Sequence, residues 1–231
     1  MQTFLEFVSN PRAYDSTVPS DLQAWATHCL STLDESELQL LNSYRNERYD
    51  DINAFLRSNN INWHQMQHRT HAKSPEAYQR MMRGATSVID RIFQKCRAPR
   101  PLTLFRGTNR TRLERGSNFV PGASNVGKEM TFTGYSSASL SVSVAVEFST
   151  QRTFPTILEL LVPRGYPAIP IFGLANSPLG GKIDVSEFAE IEVLLPNRLQ
   201  GRIVNVVEAN PQRAKQQDSY WRFTEVSIQV H

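Results

Sequence analysis

The sequence predicts an α+β fold, with two packed sheets and a helical layer supplied by the N-terminal part. Three observations carry this. Apolar residues recur at helical spacing through the first hundred residues. From residue 102 the chain breaks into short β-branched or aromatic-rich runs separated by Gly, Pro, Asn and Ser. One helical stretch, "SVSVAVEFST", interrupts those runs.

Ser20-Asp21 opens the first helical segment, with Leu22, Trp25, Cys29 and Leu33 near one face. Asp34 and Glu37 have the spacing of a capping box ahead of "LQLLNSYRNERYDDINAFLRS". The clearest helix starts at Ser74, with Pro75 at its first position. Tyr78, Met81, Met82, Ala85, Ile89, Ile92, Phe93 and Cys96 then follow at helical spacing. "RAPRP" ends it, because two prolines cannot continue a helix. The runs "LTLFR", "MTFT", "TILELLV", "AIPIF", "IEVLL", "RIVNVV" and "FTEVSIQV" read as strands. In the last, Val226, Ile228 and Val230 alternate imperfectly with Thr224, Ser227 and Gln229, as in a half-buried strand. Residues 21–231 form one expected domain, with a helical part at 21–98 and a β-rich core at 101–231. Residues 1–20 are a leader or a folded cap.

The 231 residues are enough for one large domain with a real core, and 40% apolar with 20% charged residues is ordinary globular composition. The net charge of +3 is spread evenly. Residues 1–100 carry 12 basic and 11 acidic residues, and the remainder 13 and 11, so charge gives no support to a nucleic-acid or membrane-surface role. No apolar run approaches a membrane span, and "MQTFLEFVSN" lacks the basic start and continuous apolar core of a Sec-type signal. Cys29 and Cys96 share no motif spacing, which argues against a disulfide framework or a thiolate metal site.

Candidate chemistry begins at "EFAEIEVLLP", residues 187–196. In a strand Glu190 and Glu192 share one face while Ile191 and Val193 point inward. The pair is either a solvated strand edge or two working carboxylates. A long loop, "GLANSPLGGKIDVSEFA", precedes it with Phe188 at its end. "FRG" places Arg106 and Gly107 late in the first strand; an arginine fork suits phosphate oxygens, and a glycine permits close backbone approach. In "TGYSSASLSVSVAVEF", Ser136, Ser137 and Ser139 stand where a strand hands over to a helix, a position that also suits helix caps. That helix has Val142, Ala145, Val146 and Phe148 on its apolar side. His64, His68 and His71 share a helical face, but no carboxylate stands at ligand spacing, and solvated histidines are the expectation.

These pieces occur in a specific order: "LFRG", then "YSSAS" with "AVEF", then "EIEVLLP", preceded by "SYRNERYDDINAFLR" with its I-N-x-x-L-R ending. The set resembles the arginine-specific mono-ADP-ribosyltransferases of the R-S-E class, especially bacterial toxins and injected effectors, over roughly residues 35–210. The resemblance implies the mono-ADP-ribosyltransferase fold, an antiparallel-rich split β-sandwich with an N-terminal helical layer. It also implies NAD as a substrate and no metal.

By resemblance, Arg106 holds the NAD phosphates, with Arg152 as a second phosphate contact, and Gly107 offers its backbone to the nicotinamide amide. Ser137 orients the catalytic glutamate, which is Glu192, and Glu190 engages the acceptor arginine. Phe148 stacks near nicotinamide, Phe188 is the aromatic of the substrate loop, and Tyr44 and Tyr49 line the nicotinamide side. One position departs from the pattern: Ala138 stands where threonine is usual. The resemblance further implies a monomer that is secreted without a Sec-type signal and acts on an arginine-bearing protein in a host cytosol; otherwise the protein is cytoplasmic. Two alternatives stay open: a catalytically silent effector of the same fold serving as a binding module, and transfer to a nucleobase or thiol. In this superfamily glutamine at the first E-x-E position tends to accompany non-arginine acceptors, so Glu190 favours arginine.

Overall fold

Helices come first, as the apolar spacing predicts. The computed structural model describes residues 18–57, 72–109, 125–150, 155–176, 191–209 and 223–231. Of the leader at 1–20, residues 1–17 lie outside them. The helical part contains α1 (Ser20–Ser31), α2 (Glu35–Ser43), a π turn (Tyr44–Arg48), α3 (Tyr49–Arg57) and α4 (Pro75–Lys95). α1 buries Leu22, Trp25, Ala26, Cys29 and Leu30. At the head of α2 the Asp34 carboxylate accepts the Glu37 N–H at 2.9 Å, and Glu37 accepts the Asp34 N–H at 3.0 Å. The buried Glu37 also receives the Lys95 ammonium at 2.6 Å, which pins the start of α2 to the end of α4. Ser74 Oγ caps α4 by accepting the Ala77 N–H at 3.2 Å, a bond worth about 1 kcal/mol.

The strands are β1 (Leu102–Asn109), β2 (Glu129–Phe132), β3 (Ser136–Ser139), β4 (Pro155–Val162), β5 (Glu192–Leu195), β6 (Leu199–Ala209) and β7 (Phe223–Val230). α5 (Val142–Thr150) lies between β3 and β4 in sequence. Their order is β2-β6-β7-β4-β1-β3-β5, antiparallel throughout except for the parallel β4–β7 pair. The α+β class and the N-terminal helical layer therefore stand. The two expected sheets are joined through β1, which pairs along its length with β4 and meets β3 at Phe105↔Ser139.

"AIPIF" differs from its strand expectation. Ile169 and Leu194 exchange both backbone hydrogen bonds, at 2.9 and 2.8 Å, and the chain then enters a 3₁₀ turn, Ile171–Asn176. Pro170 has no N–H to extend a ladder, so the pairing stops after one bridge. That bridge covers the outer side of β5.

One sheet face, including Leu104, Leu158, Leu160, Val226 and Ile228, packs against Tyr78, Ile89, Ile92 and Phe93 of the helical layer. On the opposite face Phe105 and Ile157 pack against Val142 and Ala145 of α5. Phe148, expected on the apolar side of α5, is instead 46% exposed. Gly107 lies directly beneath α5. A Cβ there would run into the Ala145 carbonyl oxygen and come within 2.9 Å of the Ser149 nitrogen. The two cysteines, far apart in sequence, meet in the main core thiol to thiol; that hydrogen bond with Cys29, together with burial, pushes the Cys96 thiol up.

Candidate active site

β3 and β5 run antiparallel with Ser139 opposite Glu192, Ala138 opposite Val193 and Ser137 opposite Leu194. The serine motif and the second glutamate of E-x-E are thus immediate neighbours across one ladder. Ile191 and Val193 are buried and Glu192 is half-buried, as the strand alternation predicts. Leu194 and Leu195 are both fully buried as well, in the main core. The Ser139 hydroxyl accepts the Ser141 N–H at 3.0 Å, so one serine of the motif braces the approach to α5. Ala138, the departure from the motif, lies in the apolar core opposite Val193, away from the polar serines on either side.

Arg106 is brought to this ladder from β1. By strand alternation it shares a face with Leu104 and Leu158, towards the helical layer. Its guanidinium donates to the Ser137 carbonyl at 2.6 Å. Tyr44, only 1% exposed, completes the group from the start of the π turn. Burial pushes its phenol up to about 12. The Glu192 carboxylate adds to the rise, while hydrogen bonds with Asn53 and Ser137 and the Arg106 charge oppose it. A single hydroxyl therefore senses Arg106, Ser137 and Glu192 together, and it stays neutral at physiological pH.

Asn53 was visible in sequence only as part of I-N-x-x-L-R, with no role attached. It is buried in α3, where its Nδ2 donates to the Tyr44 hydroxyl at 3.0 Å and its Oδ1 accepts the Tyr135 N–H at 2.7 Å. Gly134 makes this approach possible. It sits at φ +87, and a Cβ there would lie 2.7 Å from Asn53 Oδ1. Arg57, ending the same helix, donates from Nε to the Thr133 carbonyl at 3.4 Å. The motif thus anchors α3 to the chain entering the serine strand. Its sequence signal is a polar amide on the inner side of an amphipathic helix.

The π turn spaces the two tyrosines. Its i→i+5 hydrogen bonding separates Tyr44 from Tyr49 by one π turn, the kind of local widening found at functional sites. Tyr44 is deep in the core and Tyr49 is 48% exposed. Arg106, Ser137, Glu192 and Tyr44 come together; Gly107 is adjacent on β1, and Phe148 lies exposed on α5. Glu190, Phe188, Arg152 and the histidines at 64, 68 and 71 lie outside the described residues. Among the described residues no group of three or more His, Cys, Asp or Glu side chains could hold a metal ion, and no helix is long and apolar enough to cross a membrane.

Chemically, a guanidinium suits the oxygens of a phosphate, and a fixed carboxylate suits a centre where positive charge develops. A neutral phenol within reach of both charges can donate a hydrogen bond without adding charge.

The description "ADP-ribosyltransferase exoenzyme" belongs to the family model that matches residues 23–221. Solved structures with the same fold include Plx2a, an ADP-ribosyltransferase toxin from Paenibacillus larvae, at 20% identity and TM-score 0.60, covering 90% of this chain and 92% of that one. The Clostridium limosum C3 exoenzyme is 22% identical with TM-score 0.59, covering 96% and 98%. BECa, an ADP-ribosylating toxin of a C. perfringens binary enterotoxin solved with NADH, is 16% identical with TM-score 0.62; the match covers 90% of this chain and 46% of BECa. No curated protein sequence matches the chain.

Proposed function

Because this chain belongs to the ADP-ribosyltransferase exoenzyme family, we propose that it transfers ADP-ribose from NAD to an arginine of a target protein and releases nicotinamide. The observation that carries the reading is the β3–β5 ladder that sets the serine motif beside Glu192, with the Arg106 guanidinium donating to the Ser137 carbonyl and the Tyr44 phenol within electrostatic reach.

In this reading Arg106 holds NAD phosphate oxygens, with Arg152 as a second contact, and Gly107 offers its backbone to the nicotinamide amide. Phe148 and Tyr49 flank the nicotinamide side. Cleavage of the bond between ribose C1′ and the nicotinamide nitrogen leaves the bonding pair on nicotinamide and positive charge on the sugar, as in glycoside cleavage. The Glu192 carboxylate stabilises that charge, oriented by the Ser137 hydroxyl. A guanidine nitrogen of the acceptor then bonds to C1′, and its proton passes to Glu190. Two carboxylates are needed because they attend two different cations. Phe188 serves the acceptor loop. The enzyme works as a single domain over residues 21–231 and acts on a host protein.

A polyarginine or small guanidine acceptor with labelled NAD tests the acceptor class. The wild type is expected to label it, and Glu190→Gln to lose transfer more than NAD hydrolysis. Equal loss of both activities contradicts the division of labour between the glutamates, and labelling of thiol or nucleobase acceptors alone contradicts arginine.

A further inference from the structure

Tyr135 sits two residues ahead of Ser137, and its contacts form a closed circuit with Tyr44. Its N–H donates to Asn53 Oδ1 at 2.7 Å, and Asn53 Nδ2 donates to the Tyr44 hydroxyl at 3.0 Å. The rings of Tyr44 and Tyr135 meet edge to face, 6.0 Å between centroids at 80°. Phe93 of α4 packs on the other side of Tyr135, 5.8 Å away. The Tyr44 hydroxyl at the end of this circuit lies within electrostatic reach of Arg106, Ser137 and Glu192.

The circuit is fastened from outside. The phenol of Tyr135 shares its proton between Asp90 Oδ1 at 2.8 Å and the Thr86 carbonyl at 3.1 Å, both on α4. Asp90 is an exposed residue of that helix. It has no place among the groups that meet at the Tyr44 hydroxyl. The Tyr135 ring is itself fully buried, so its rotation about the strand is fixed by its packing neighbours and by where its hydroxyl finds an acceptor.

We propose that Asp90 is a positioning residue for NAD cleavage: through the Tyr135 phenol it sets the placement of Tyr44 and Ser137 against Glu192. The proposal rests on the NAD-cleaving reading of this site. It assigns Asp90 no contact with substrate. What the residue supplies is an acceptor oxygen at one point on the surface of α4, and geometry matters there more than charge. Asparagine can present the same oxygen; alanine cannot.

The test is steady-state NAD hydrolysis by Asp90→Ala, Asp90→Asn and Tyr135→Phe, alongside amide chemical shifts of the full chain. Asp90→Ala is expected to lower kcat about tenfold at an unchanged KM for NAD, the scale of loss produced by a small misplacement of a reacting group. Asp90→Asn is expected to stay within about twofold of wild type. The Asp90→Ala, Tyr135→Phe double variant should be no worse than Tyr135→Phe alone, because both changes remove one shared bond. The Tyr44 and Ser137 amides should shift in Asp90→Ala and hold in Asp90→Asn. A lowered Tm with kcat and both resonances unchanged in Asp90→Ala makes Asp90 merely structural and overturns the proposal, as does an Asp90→Asn variant no better than the alanine. A wild type that releases no nicotinamide, with the resonances moving as expected, overturns the NAD-cleaving reading and leaves the Asp90 linkage in place.

Discussion

Arg106 of β1 donates a 2.6 Å hydrogen bond to the backbone carbonyl of Ser137 on β3. This bond lies where β1 and β3 share the register pair Phe105↔Ser139, so a side chain reinforces the join between the two parts of the sheet. A charged hydrogen bond of this kind contributes about 1.5–3 kcal/mol. It also means that the residue proposed to hold NAD phosphates shapes the serine strand as well.

Arg106→Lys keeps the charge but has no planar fork to span a carbonyl and a phosphate at once. NAD affinity, measured by calorimetry, is expected to weaken about tenfold or more, with a modest fall in Tm. Unchanged affinity would separate Arg106 from the phosphates.

Gly107→Ala puts a methyl group into the backbone of α5 at Ala145 and Ser149. The expected cost is about 1–3 kcal/mol, read as a lower midpoint in denaturant unfolding. Were the glycine present only to admit a ligand, alanine would raise KM for NAD and leave the unfolding midpoint where it is.

Glu225 on β7 is 7% exposed, and burial, with the Glu159 carboxylate close by on β4, pushes it up to about 7 from an ordinary 4.5. The folded state therefore binds this proton more tightly than the unfolded chain. Its contribution to stability is complete below about 4.5, declines as pH rises to about 7, and is then level. The size is on the order of 3 kcal/mol across that window. Glu225→Gln should flatten the fall of Tm over this range and be the more stable protein at pH 8. An identical slope in the variant would assign the pH dependence elsewhere.

The local parts of the fold were legible because their causes are local. Asp34 and Glu37 cap each other three residues apart, Ser74 and Pro75 start a helix, and β-branched runs mark strands. The misreading of "AIPIF" has the same origin in reverse. Its apolar content suits a strand, but Pro170 stops the ladder after Ile169 has bridged to Leu194. Long-range relations were not legible. Nothing near Cys29 points to Cys96, and the parallel β4–β7 pairing joins runs far apart in the chain. At the site, the ordered motifs point to Arg106, Ser137, Glu192 and Tyr44; the fold sets the serine strand beside β5, bonds Arg106 to Ser137, and leaves Tyr44 within electrostatic reach of Arg106 and Glu192. Asn53, which links Tyr44 to the serine strand, is marked only by its motif and its place on the inner side of an amphipathic helix, and neither names the partners that give it its role.

The central claim is that Glu192 carries the chemistry, and Glu192→Gln tests it most directly. The substitution keeps the size of the side chain but replaces one acceptor oxygen with a donor amide and removes the charge proposed to face the sugar. With wild type and variant at matched Tm, nicotinamide release from NAD should fall about 10²–10³-fold while NAD still binds. Release within a few-fold of wild type would contradict the account.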